Sequence, residues 1–301
     1  MKLNHKQPSA LACCVMLAAL FCATPGSSGE SSKLRLPPLS TSRSGLLPGK
    51  FVWADLVTDD VPAARDFYGR LFGWLCQDLG GYVIAKNQDR PLCGMFQRSR
   101  PQDGKGSPRW IGYLSVPNVS KAAKVVTREG GSVIAAPQKF PDRGQQAVFA
   151  DAEGAVFGVV RSSSGDPQDF LPEPGDWIWV QLLSRDARKA GEFYRAIAGY
   201  DVQENTSSKR THDFVLIREG YARAAVLTIP EEHNDIRPNW LPFVRVADVM
   251  ETVAKAKELG GRVLIQPKPD LFEGKLGVIA DPTGAAIGIL EWSQDEVKGG
   301  Q

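Results

Sequence analysis

Residues 53–74 read WADLVTDDVPAARDFYGRLFGW and residues 179–200 read WVQLLSRDARKAGEFYRAIAGY; this internal repeat constrains the fold more than any other feature. Trp53 precedes Trp179 by 126 positions, and Phe67-Tyr68 precedes Phe193-Tyr194 by the same interval. Farther along, Gly130-Gly131 matches Gly260-Gly261, and the D-x-x-G run at 151–154 matches that at 281–284, both at an offset of 130. Offsets held over so long a stretch mean duplication. The 301 residues exceed the usual span of one domain, and the repeat divides them into module 1 (49–162) and module 2 (176–293). Between them, residues 163–175 are rich in Ser, Pro and Gly and read as a linker; residues 294–301 are a tail.

Each module shows one order of elements. In module 1, residues 51–58 read as a strand, and Asp59 or Asp60 can cap a following helix with Pro62 in its first turn, where a missing N–H is harmless. Val61, Ala64, Phe67, Tyr68 and Leu71 recur at helical spacing as one buried stripe, and Gly73 stops the helix as Gly199 does in the second copy. Short apolar runs at 82–85 and 92–96 read as strands. A second round follows: a strand at 110–116, a helix at 119–129, and strands near 132–135, 147–150 and 156–160. Each module is βαβββ twice. The expected class is α+β, with tandem βαβββ modules forming two incomplete mixed-sheet barrels that carry their helices outside.

The amino terminus reads as an address. Lys2, His5 and Lys6 precede an uncharged stretch at 11–23, which is short for a bilayer span but has the length of a signal-peptide core. Residues 1–26 are expected to be a signal peptide and 27–48 a flexible Pro/Ser/Gly tether. Cys22 offers an alternative as a lipid-modified anchor, so the expected location is exported, periplasmic or secreted, with possible membrane attachment through the leader. Cys13, Cys14 and Cys22 fall in this leader; Cys76 and Cys93 alone remain in the body and make no disulfide framework. Lys and Arg number 36 against 34 Asp and Glu, with no long run of one sign, so nucleic acid is not an expected partner. A small molecule is, and the chain is expected as monomer or homodimer.

A first strand followed by T-x-D-x-x-x-A-x-x-F-Y-x-x-x-x-G-W, a V-x-x-V-x-x-A helix ending in Gly-Gly, and a D-x-x-G turn before the last strand resemble the vicinal oxygen chelate superfamily. That group includes glyoxalase I, bleomycin-resistance proteins and extradiol dioxygenases. The resemblance covers both copies. It implies modules that cup a divalent cation between a first-strand His, a fifth-strand His or Glu and an eighth-strand Glu, with positions left open for two substrate oxygens. Carried over residue by residue, these positions are Trp53, Ile111 and Gly158 in module 1, and Trp179, Leu241 and Gly288 in module 2. None offers a side-chain donor. No metal and no cofactor is therefore expected.

The candidate ligand-binding residues are Trp53, Asp55, Tyr113, Trp179, Gln181 and Phe243. Trp53 and Trp179 are either stacking walls or plugs, since aromatic rings bury well wherever they fit. Asp55 and Gln181 lie two residues along the same strands and share their face. Asp55 orients a ligand, acts as a base or holds a structural hydrogen bond, the last being the plainer expectation because a carboxylate on an apolar face needs partners. Tyr113 and Phe243 occupy matching fifth-strand positions. A rival set of metal ligands is His212, Asp213, Glu231, Glu232 and His233; Arg109 and Arg143 are candidates for an anion, with surface placement as the plainer expectation. Three readings follow: a binding protein for a small aromatic or apolar molecule, a metal-dependent lyase or dioxygenase with non-standard ligands, and a ligand-free envelope scaffold.

Overall fold

The computed structural model describes residues 35–40, 43–98, 107–206 and 213–292. The leader, residues 27–34 of the tether, His212 and the tail lie outside the described residues. Module 1 runs β1 (Phe51–Thr58), α1 (Val61–Phe72), β2 (Leu75–Asp78), β3 (Val83–Asn87), β4 (Arg90–Gln97), β5 (Arg109–Ser115), α2 (Val119–Arg128), β6 (Ser132–Phe140), β7 (Gly144–Ala150) and β8 (Val156–Ser162). Module 2 repeats the order as β9 (Trp177–Ser184), α3 (Ala187–Ala198), β10 (Asp201–Glu204), β11 (Phe214–Arg218), β12 (Tyr221–Thr228), β13 (Asn239–Val246), α4 (Val249–Glu258), β14 (Arg262–Ile265), a 3-10 turn at Phe272–Gly274, β15 (Leu276–Ala280) and β16 (Ala286–Glu291). Each module is one eight-stranded mixed sheet, ordered β2-β3-β4-β1-β5-β8-β7-β6 and β10-β11-β12-β9-β13-β16-β15-β14. The α+β expectation of two open mixed sheets holds. β6 runs past Pro137 to Phe140 because it is an edge strand, where a missing N–H breaks no ladder.

Local chemistry starts and stops the helices where the sequence signals them. Asp60, Asn118, Asp186 and Asp248 each accept a hydrogen bond from the backbone N–H three residues on. Asp59, the other capping candidate, instead pairs with Arg98 at 2.8 Å. Gly73 and Gly199 close α1 and α3 in the left-handed region, at φ 76° and 69°.

The helix-bearing faces of the two sheets pack against each other. Ala64, Phe67 and Leu71 of α1 join Val249, Val253 and Ala256 of α4 in one core; Val119, Ala122 and Val126 of α2 join Ala187, Ala190 and Phe193 of α3 in another. Burying each large side chain there contributes about 1.5–3 kcal/mol. The repeated motifs meet at this junction. Tyr68 donates to Asp281 Oδ2 (3.1 Å) and Tyr194 to Asp151 Oδ2 (3.0 Å), so each F-Y tyrosine reaches the D-x-x-G aspartate of the other module. Trp110 and Trp240 donate their indole N–H to the same two hydroxyls. The Gly-Gly pairs serve the junction as well. A Cβ on Gly261 would stand 2.8 Å from the Phe67 ring, and one on Gly131 3.1 Å from that of Phe193.

Part of the expected flexible tether is packed. Leu36 and Leu39 are each only 3% exposed and enter the core on the concave face of module 1. Asp166 pins the following stretch: its carboxylate accepts from Leu47 N (2.6 Å) and Ser115 Oγ (2.5 Å), and its carbonyl accepts from Ser44 Oγ. Arg143 donates through Nε to the Pro37 carbonyl at 2.6 Å. Residues 35–40 and 43–48 therefore form a strap across module 1, because two leucines find an apolar concavity and a buried carboxylate finds donors.

Candidate functional site

Each sheet presents its other, concave face as a cup, and the positions named from the resemblance line both. Trp53 pairs with Tyr113 and Tyr113 with Gly158 across β1, β5 and β8; Trp179, Phe243 and Gly288 make the same row across β9, β13 and β16. The aromatic ring of the fifth strand lies over the glycine of the eighth. A Cβ on Gly158 or Gly288 would fall 2.3 or 2.2 Å from the Tyr113 or Phe243 ring.

The cup of module 1 is filled. Trp53 is 4% exposed and donates through Nε1 to Asp55 Oδ1 (2.8 Å) and to the Tyr82 hydroxyl oxygen (3.0 Å). Tyr82 donates to the same Oδ1 at 2.7 Å. Burial, reinforced by the Asp55 charge, holds the phenols of Tyr82 and Tyr113 well above their ordinary range, so both stay protonated. Asp55 is thus satisfied within the protein. Arg143 is 1% exposed and lays its guanidinium 4.4 Å from the centroid of the Trp53 ring, which corrects its expected surface placement. Leu36 and Leu39 of the strap complete the cover. Both amide atoms of Gln146, and Arg143 Nη2, lack a hydrogen-bond partner in this buried layer.

Module 2 carries different side chains at the same places. Strand registers equate Asp55 with Gln181, Tyr82 with Asp213, Gly94 with Ala225 and Tyr113 with Phe243. Gly94 has no side chain because a Cβ there would lie 1.9 Å from Tyr82 Oη and 2.3 Å from Asp55 Oδ1; Ala225 tolerates one where the tyrosine is gone. The positive-φ glycines 144 and 274 equate Arg143 with Glu273 and Gln146 with Leu276. Glu273 is exposed and faces Lys275 at 3.9 Å, and among the described residues no guanidinium covers the second indole. The segment before β9 leaves Phe170 and Leu171 exposed rather than lowering them into the cup. Trp179 and Gln181 are accordingly half-buried, beside Phe243, Leu241, Leu276, Val278 and Leu290. Among the described residues, neither Trp179 Nε1 nor the Gln181 amide has a hydrogen-bond partner.

The described members of the rival metal set are not brought together. Glu231, Glu232 and His233 are exposed in the loop before β13, while Asp213 is buried and accepts from Thr228 N at 2.9 Å. Among the described residues, no group of three or more His, Cys, Asp and Glu is placed to hold a metal ion. Arg109 begins β5 beside Ser107, away from Arg143. Cys76 on β2 and Cys93 on β4 flank Ala85 of β3 in one row, two strand spacings apart, and both are free thiols. Burial raises the Cys93 thiol well above its usual range, which leaves it a poor nucleophile. Tyr82 and Gln146 are cup residues that sequence reading missed. The available signal was Gly94 in an otherwise apolar strand, a mark of close approach.

Comparison with known proteins agrees with this geometry. Residues 177–290 match the family model of a glyoxalase-like domain. The anthracycline biosynthesis protein DauV of Streptomyces sp. strain C5 is 31% identical over 260 residues, spanning 81% of this chain and 94% of the relative. A putative glyoxylase, CFP32, from Mycobacterium bovis is 27% identical across 83% of this chain and 97% of its own length. Among solved structures, the Mn(II)-bound glyoxalase from Novosphingobium aromaticivorans superposes with a TM-score of 0.56 at 16% identity, over 81% of this chain and 82% of that one. The 2,3-dioxygenase LapB from Pseudomonas sp. KL28 gives 0.53 at 12% identity, over 84% and 94%. With two βαβββ modules paired through their helices and a full-length relative at this identity, the chain belongs to the glyoxalase-like proteins of the vicinal oxygen chelate superfamily, in their two-module form.

Proposed function

We propose that this protein binds a small planar, aromatic or apolar molecule in the cup of module 2, and that module 1 is its filled structural partner. One contrast carries the reading: Trp53 is sealed under Arg143 and the strap, whereas its counterpart Trp179 is half-buried in an apolar cup with no guanidinium of the described residues over it. Concave apolar surface with a few convergent polar groups is the general form of a small-molecule site. Two relatives, in Streptomyces sp. strain C5 and Streptomyces peucetius, are named for anthracycline biosynthesis, and an anthracycline is a planar polycyclic aromatic. That chemistry is compatible with an indole wall.

The divalent ion of the fold family does not fit the residues present. Trp53, Ile111 and Gly158, and Trp179, Leu241 and Gly288, offer indole, alkyl groups and hydrogen where donors would be required. A carboxylate on either glycine would collide with the aromatic ring above it. The reading also includes export, supported by the basic start and the uncharged stretch at 11–23.

A screen of planar apolar compounds followed by intrinsic tryptophan fluorescence tests the binding claim. A saturable response lost in Trp179→Ala supports it; a saturable response that persists in that variant contradicts it. Elemental analysis of the purified protein should find no stoichiometric divalent ion, and one ion per chain would refute the donor argument. Mass spectrometry of the protein from the extracytoplasmic fraction should show a chain lacking residues 1–26.

A further inference from the structure

We propose that the ligand of the module 2 cup is a neutral planar ring system bearing a carbonyl or phenolic oxygen on its edge, read by Trp179 Nε1 and the Gln181 amide. This rests on the reading of that cup as the binding site. Module 1 serves as the internal control. There the equivalent indole N–H is spent on Asp55 and Tyr82, and the residue equivalent to Gln181 is a carboxylate already holding its donors. In module 2 the aspartate has become an amide and both tyrosines are gone, as Asp213 and Phe243. What remains is one indole N–H, two amide N–H donors and one amide oxygen, all unengaged, two residues apart on one face of β9. A half-buried tryptophan usually finds a partner for its N–H. Gln181 and Trp179 can both donate to one ring oxygen, and Gln181 Oε1 can accept from a phenolic O–H.

Charge sets the class as neutral. The floor residues Trp179, Gln181, Leu241, Phe243, Leu276 and Val278 carry no charge, and the acid at the Tyr82 position, Asp213, is buried and accepts from Thr228 N. The position of Arg143 is held not by a guanidinium but by Glu273, which faces Lys275 at 3.9 Å. Arg245, at the end of β13, donates its guanidinium to the carbonyl oxygens of Pro172 and Trp292.

The test compares two molecules that differ only at one edge, 9-fluorenone and fluorene, together with the anionic 9-oxofluorene-2-carboxylate, titrated against the full chain. The expected result is 9-fluorenone binding about tenfold tighter than fluorene, the worth of one or two hydrogen bonds, and tighter than the carboxylate. Gln181→Glu, which keeps the shape but loses the donors, should cut the affinity for 9-fluorenone while leaving fluorene within about twofold. Trp179→Phe, which keeps a ring without the N–H, should narrow the same ratio. Equal binding of fluorene and 9-fluorenone overturns the inference but leaves the cup as a site; tighter binding of the carboxylate overturns the neutral class. Failure of all three to bind a protein with an unaltered melting curve overturns the underlying reading as well.

Discussion

Gly94 sits where a side chain would break the first cup. Its missing Cβ leaves the space in which Tyr82 Oη and Asp55 Oδ1 meet, 2.7 Å apart, so the polar layer of the first cup depends on an absent side chain. Gly94→Ala should destabilise the protein by about 1–3 kcal/mol through overpacking. Tyr82→Ala removes the ring, whose Oη and Cζ would stand 1.9 and 2.2 Å from the new methyl group. Denaturant midpoints of the double variant should therefore fall by less than the sum of the two single losses, and simple additivity of the two changes would contradict the assignment. The same scale shows what the sequence could not disclose. Trp53 and Trp179 have matching motifs around them, yet one is sealed and the other half-buried. Arg143, on a turn ninety positions from Trp53, and Leu36 and Leu39, ahead of the repeat, decide the difference.

At the scale of elements, the legible motifs prove to be halves of contacts. F-Y, Gly-Gly and D-x-x-G could be read as a repeated series because each keeps its place in its own module. Their purpose lies across the junction: Tyr68 meets Asp281, Tyr194 meets Asp151, and Phe67 and Phe193 pack over Gly261 and Gly131. Tyr194→Phe leaves Asp151 Oδ2 and the Trp240 N–H without their partner and should cost about 1–3 kcal/mol in unfolding experiments. Burial also raises the Asp151 carboxyl above its ordinary 3.8, against the donors that lower it. The folded state then holds that proton more tightly than the unfolded chain. This group's contribution is full below pH 3.8 and is lost as pH rises through the raised value. Asp151→Asn should flatten that part of the stability profile relative to wild type; an unchanged slope would contradict the cause given. The strap is a third case. Its Ser, Pro and Gly content reads as a tether, but Leu39→Ala should cost about 2–5 kcal/mol, as for a core leucine. A change near zero would mean that the strap is a surface loop.

For the whole molecule, duplication inside one chain supplies both halves of a pairing that needs two modules, and frees the halves to diverge. The first cup holds Asp55, Tyr82 and Tyr113 beneath Arg143 and the strap; the second holds Gln181, Asp213 and Phe243 at the same places and leaves Trp179 half-buried. The fold was legible because helical periodicity, caps and repeat offsets are local and doubled. The different fates of the cups were not, because they depend on covering residues distant in sequence. Calorimetric titration of the full chain with 9-fluorenone separates the two cups. One site per chain is expected, lost in Trp179→Ala and retained in Trp53→Phe; two equivalent sites, or a single site lost with Trp53 and indifferent to Trp179, would overturn the assignment of binding to module 2.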